Sequence, residues 1–148
     1  MKTNLKKLFI AVACLISAEF AFADNERPIT VNQLPKAAQQ VLTKHFGNEK
    51  VSLAKYESGL IEKNYDVILA NGTKLEFDRK GAWTEVDCKF STVPTALIPQ
   101  PIINYIKQNQ AGSSVKKIEK DRGLIEVKLD NGVELTFNSK YKIVDIDY

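Results

Sequence analysis

"ILANGTKLEFDRKGAWTEVD", residues 68–87, returns sixty positions later as "KLDNGVELTFNSKYKIVDID", residues 128–147. Aligned over 65–87 and 125–147, eight of 23 positions are identical, including Asn71/Asn131, Gly72/Gly132, Leu75/Leu135 and Phe77/Phe137. Unrelated segments of ordinary composition would share about one or two. Upstream the match resumes at an offset of 64, with Leu34-Pro35 facing Ile98-Pro99 and Val51 facing Val115. The slip of four falls at "LIEKN", which lengthens a turn in the first copy. A period this long marks a duplicated supersecondary unit.

Each unit opens on a helix. In "LPKAAQQVLTKHFG" the residues Ala38, Val41, Leu42 and His45/Phe46 fall on one stripe, the spacing of an amphipathic helix. Pro35 suits its first turn and Gly47 the residue past its end. The second unit repeats the pattern with Pro99, Ile102, Tyr105 and Ile106. Four strands follow in each unit: "VSLAKYE" and "VKKIEK", "YDVIL" and "IEVKL", "TKLEF" and "VELTF", "WTEVD" and "IVDID". Asn-Gly between the second and third predicts a hairpin with a type I′ turn. Alternation sends Tyr65, Val67, Leu69, Leu75 and Phe77, with their counterparts, to one face, and Asp66, Lys74, Glu76, Glu126, Lys128 and Glu134 to the other. Trp83 and Val86, like Ile143 and Ile146, break the alternation by a spacing of three, which calls for bulges or for one outward residue in each pair. The expected fold is α+β: a helix plus a four-stranded antiparallel sheet, twice, as residues 24–90 and 91–148 of one pseudo-symmetric domain.

Residues 1–23 read as a signal peptide. "MKTNLKK" is basic, "LFIAVACLIS" is apolar, and Ala21-Phe22-Ala23 forms a cleavage site. The apolar run is about half the ~20 residues of a spanning helix. Cys14 after Ala11-Val12-Ala13 loosely suggests a lipidation site, but the Leu such a site favours is missing and the Ala-x-Ala site is better formed. The expected location is therefore periplasmic or secreted. Cleavage lowers the net charge from +3 to +1, because Lys2, Lys6, Lys7 and Glu19 leave. A near-neutral chain carries no electrostatic footprint for nucleic acid. Cys88 remains without a second cysteine and is expected to be a small buried residue.

The motif Leu-Pro…Val…Phe on a helix, followed by "YDVILANGTKLEFDRKGAWTEV", resembles the PepSY-like family of exported bacterial proteins, grouped with the β-lactamase-inhibitor-like fold. The resemblance covers nearly all of 30–148, although Tyr141 stands where Gly81 does, and Ile143 where Trp83 does. It implies an exported protein whose sheet face is available to bind another protein. Related PepSY domains are thought to restrain peptidases. The family carries no catalytic motif to transfer.

The residues themselves point the same way. His45 is the single histidine, and no phosphate loop, nucleophile elbow or His-Glu-x-x-His motif is present. No cofactor is expected. Glu85 with Asp87, and Asp145 with Asp147, each share a strand face and are weak metal candidates beside the plainer reading of a solvated strand edge. Tyr56, Trp83, Tyr141 and Tyr148 are candidate partner-binding aromatics if exposed, and core if buried. The expected function is a non-enzymatic binding protein that offers a sheet face to a protein or peptide partner in the envelope, with enzyme inhibition as one outcome. The alternative is a small-ligand or metal-binding periplasmic protein with its site in a groove between the two units.

Overall fold

Proline sets the start of both helices. In the computed structural model, which describes residues 25–59 and 61–148, α1 runs Lys36–Phe46 behind Pro35, and α2 runs Gln100–Asn109 behind Pro99. Pro101 lies within the first turn of α2, where its missing N–H forfeits no intrahelical bond. The expected signal peptide at 1–23 and Cys14 lie outside the described residues. No helix among those residues is long and apolar enough to cross a membrane.

The strands are β1 (Arg27–Pro28), β2 (Val51–Ser58), β3 (Lys63–Leu69), β4 (Lys74–Asp78), β5 (Trp83–Asp87), β6 (Val115–Asp121), β7 (Leu124–Leu129), β8 (Glu134–Asn138) and β9 (Ile143–Asp147). Thus α1 precedes β2–β5 and α2 precedes β6–β9. The two sets of four strands extend one sheet: with β1 added at its edge, all nine strands form one antiparallel sheet in chain order. The junction is β5 on β6, where Val86 pairs with Ile118 and both become fully buried. Two free apolar edges are removed by that one pairing. β1, unforeseen in the sequence, covers part of the outer edge of β2.

Bulges resolve the broken alternation. The register slips at Val51/Leu53, Glu76/Phe77, Val115/Lys117 and Thr136/Phe137. Each slip lets two apolar residues three apart face the same way, so Trp83 and Val86 both contact the core, as do Ile143 and Ile146. The helices contribute Ala38, Leu42, Phe46, Ile102 and Ile106 to that single core, which therefore lies on one face of the sheet. Tyr105 of α2 meets Phe137 of β8 edge-on at 5.4 Å.

The Asn-Gly hairpins form, but through a different turn from the one expected. Within the Asn-Gly turns only the glycines, Gly72 and Gly132, have positive φ, at 84° and 90°. A type I′ turn needs two such residues. Instead Gly72 N–H donates to Leu69 C=O, Leu69 N–H donates to Thr73 C=O, and Asn71 Oδ1 accepts from Thr73 N–H. This is a type I turn closed by a left-handed glycine, with Asn71 bracing the backbone. The β4–β5 turn is built the same way on Gly81, whose missing Cβ leaves room for Pro35 and Ala38 of α1. Tyr141 takes the equivalent left-handed position in the last turn, at φ 58°, and is solvent-exposed.

Candidate functional site

With both helices on one side, no other described element covers the opposite side of the sheet. Its side chains come from the polar half of each alternation, and the pairing sets them in rows. Lys55, Asp66, Glu76, Glu85, Glu119, Glu126, Thr136 and Asp145 stand opposite one another in succession from β2 to β9. Five carboxylates thus occupy adjacent strands from β3 to β7. At about 4.8 Å per strand they span roughly 19 Å. The next row reads Ile68, Lys74, Asp87, Lys117, Lys128, Glu134 and Asp147.

Like charges directly opposite repel, and two lysines of the second row, Lys74 and Lys117, bridge Glu76, Glu85 and Glu119 of the first. Lys117 Nζ lies 3.0 Å from Glu85 and 2.8 Å from Glu119. Lys74 Nζ lies 2.5 Å from Glu76 and 4.0 Å from Glu85. Lys128 pairs with Glu134 at 2.7 Å, and Lys55 with Glu26 at 3.0 Å. Burial pulls the Lys117 ammonium down, but its hydrogen bonds to Glu119 and Glu85 outweigh this and leave it well above the usual lysine range. Burial raises the Glu85 carboxyl, against the lowering effect of Lys117. Burial, then the Glu76 charge, raises that of Asp66. The face is therefore acidic and under electrostatic tension.

At the β4–β5 turn end this face dips into a groove of about 630 Å³ that straddles both sets of strands. Glu76, Glu85 and Glu119 line its floor, with Lys63, Arg79, Lys80 and Arg122 among the cations around it. Among the described residues, no group of three or more His, Cys, Asp or Glu side chains is placed to hold a metal ion.

The structure separates the residues singled out from the sequence. Glu85 and Asp87 belong to β5, whereas Asp145 and Asp147 lie four strands away on β9. Equivalent positions in the two sets of strands therefore do not converge. Tyr56 is half-buried on the helix-covered side, against Tyr65 at 5.3 Å and beneath Arg27 at 5.1 Å. Trp83 packs on the core with the Lys120 ammonium 3.4 Å from its ring centre. Burial lowers the Lys120 ammonium. Tyr141 and Tyr148 are exposed near the last strand. His45 is half-buried in the last turn of α1. Cys88 is fully buried, and that burial raises its thiol. Glu119 went unremarked in the sequence. Its alternation with Lys117 was the available signal, but its place in the row depends on the β5–β6 pairing.

A single antiparallel sheet with both helices on one face and a charged, open opposite face fits the β-lactamase-inhibitor-like class of α+β proteins. Residues 63–145 match the family described as "putative beta-lactamase-inhibitor-like, PepSY-like", and the chain belongs to that family. The fold is similar to that of a putative periplasmic protein of the DUF2874 family from Bacteroides vulgatus, at 48% identity and a TM-score of 0.83, over 85% of this chain and 99% of that one. It is also similar to a putative calcium-regulated periplasmic protein from Bacteroides thetaiotaomicron, at 49% identity and a TM-score of 0.81, over 83% and 97% of the two chains. A third similar structure is a putative periplasmic protein of unknown function from Bacteroides vulgatus, at 40% identity and a TM-score of 0.78, over 83% and 99%. No curated protein matches the chain.

Proposed function

We propose that this chain is a non-enzymatic, exported binding protein of the cell envelope that takes a cationic protein or peptide surface on the open face of its sheet. The observation that carries the reading is the line of five carboxylates, Asp66, Glu76, Glu85, Glu119 and Glu126, on adjacent strands. Aligned like charges cost folding free energy. A partner that brings lysines or arginines over them relieves that cost on binding, which favours affinity and steers encounter. The face is broad and shallow, which suits a protein partner better than a small molecule. Enzyme inhibition is one use of such a surface.

The reading includes a cleaved signal at 1–23 and a tandem helix-plus-four-strand repeat over 24–90 and 91–148. The same order of elements and the equivalent bulges in both halves support the repeat. Tyr141 and Tyr148, exposed beside β9, are proposed as rim contacts. Tyr56 and Trp83, half-buried on the covered side, belong more to the frame than to the contact surface.

The test is an envelope pull-down with residues 24–148 as bait. A Glu119→Lys/Glu126→Lys variant should lose the dominant captured protein, and a helix-side Lys36→Glu/Lys44→Glu variant should retain it. Equal capture by all three baits would sink the face reading.

A second reading, calcium binding, is favoured by the description of the Bacteroides thetaiotaomicron neighbour as putatively calcium-regulated, although no preformed carboxylate cluster among the described residues is placed to hold a metal. It expects the melting temperature of the chain to rise with millimolar Ca²⁺ and not with equal Mg²⁺. Identical melting curves in the two salts would exclude it.

A further inference from the structure

We infer that the outer edge of β9 is a docking edge for an extended cationic segment of a partner protein, taken up as an added strand. Among the described residues, β9 pairs with β8 alone and is the last strand of the sheet. Its outer backbone presents N–H and C=O groups in the arrangement that accepts another strand. Proteins usually blunt such edges with brevity, proline or lysine. The opposite edge is treated in that way: β1 is two residues long, includes Pro28, and lies over β2. β9 contains neither Pro nor Lys. Instead it carries Val144, 54% exposed, and is followed by Tyr148, 88% exposed.

The molecule holds its own template for what fits there. β5 has the same place among β2–β5 that β9 has among β6–β9, and β5 is covered by β6. In that pairing Lys117 stands opposite Asp87, and Ile118 opposite Val86. Val86 is fully buried by it, whereas Ile146, the matching residue of β9, is only half-buried. A segment placing Lys opposite Asp147 and an apolar residue opposite Ile146 reproduces both pairs. Opposite Asp145 a second Lys improves on the template, where Glu85 faces Glu119 and needs Lys117 to bridge them. A second copy of this chain is a poor occupant. Two-fold pairing of β9 with itself about Ile146 sets Asp145 against Asp147 twice, and like charges directly opposite repel.

This inference needs only the edge and stands apart from the reading of the open face. The probe is a fluorescein-labelled peptide of Val115–Asp121 carrying Glu119→Lys, titrated into residues 24–148 at physiological salt. Saturable binding is expected, together with new hydrogen-exchange protection of β9 amides. A peptide that also carries Ile118→Pro keeps the charge but cannot complete the ladder, and should bind about tenfold or more weakly. Asp145→Asn/Asp147→Asn in the chain should weaken the parent peptide about tenfold with an unchanged circular dichroism spectrum. The Glu119→Lys/Glu126→Lys chain should bind it as the parent does, so failure at the edge and failure at the face are told apart. Absent binding, equal binding of the proline peptide, or protection away from β9 overturns the inference. So does a concentration-dependent dimer that protects β9 without peptide, which would assign the edge to a second copy.

Discussion

Replacing Lys117 by Met tests whether charge or packing holds the open face together. Methionine keeps much of the apolar stem and removes the ammonium that bridges Glu85 and Glu119. Breaking a fully buried pair by removing one partner costs about 3–5 kcal/mol. Here the Glu85 side chain is 12% exposed, that of Lys117 is 32% exposed, and Lys74 remains 4.0 Å from Glu85. These soften the penalty, so a loss of about 2 kcal/mol is expected at pH 7. The sign with pH follows from Glu85. Its carboxyl is already raised by burial, and Lys117 holds it lower than burial alone would. In the variant it rises further, so the folded state of the variant holds a proton more strongly than the unfolded chain. Stability of the variant is fully present below the unfolded carboxylate value and is lost as pH rises through the raised folded value. The difference between variant and parent should therefore shrink to under about 0.5 kcal/mol near pH 4. Urea unfolding at several values between pH 4 and 7, followed by Trp83 fluorescence, measures it. Lys128→Met is the control: its pair with Glu134 is 52% exposed on each side and should be worth less than about 0.5 kcal/mol. An equal loss for Lys117→Met at pH 4 and 7 would refute the electrostatic account and leave packing as the cause.

The remaining predictions concern the frame of that face. Gly81→Ala should cost about 2–4 kcal/mol, because the new Cβ meets Pro35 Cβ at 2.7 Å and Ala38 N at 2.8 Å in addition to a positive φ. Gly132→Ala has the same strain of φ with nothing within 4 Å, so about 1–2 kcal/mol is expected, and equal urea midpoints for the two variants would remove the steric argument. Asp66→Asn should stabilise the chain near pH 7 and not near pH 4, since burial and Glu76 raise the Asp66 carboxyl and its ionised form is the costly one; thermal melts at both pH values check this. Phe137→Ala should cost about 3–5 kcal/mol by emptying a fully buried site against Tyr105, read from denaturant midpoints. Cys88 should resist a thiol reagent until the chain unfolds, as its thiol is buried and raised; rapid labelling of the native chain would contradict that placement.

Strand positions along the chain, helix positions and the division of faces were legible in the sequence because they follow from local rules. Proline cannot continue the backbone hydrogen bonding of a helix interior, so Pro35 and Pro99 mark starts. Alternation is a property of each strand alone, so Val67, Leu69, Leu75 and Phe77 could be assigned to one face before any pairing was known. The turn type was not legible in the same way. Asn-Gly fits both a type I′ turn and a type I turn with a left-handed glycine, and the loop length decided between them.

What the tertiary structure alone decided is which charges meet. The sequence shows Glu85 beside Asp87 and Glu119 beside Lys117, thirty or so residues apart in the chain. Only the pairing of β5 with β6 sets Glu85 against Glu119 and brings Lys117 between them. Register across strands distant in sequence is a collective outcome of burying Val86 and Ile118 together, and no local pattern encodes it. The same closure that hid the edge of β5 left the edge of β9 open, so two strands of nearly the same sequence pattern end with different roles.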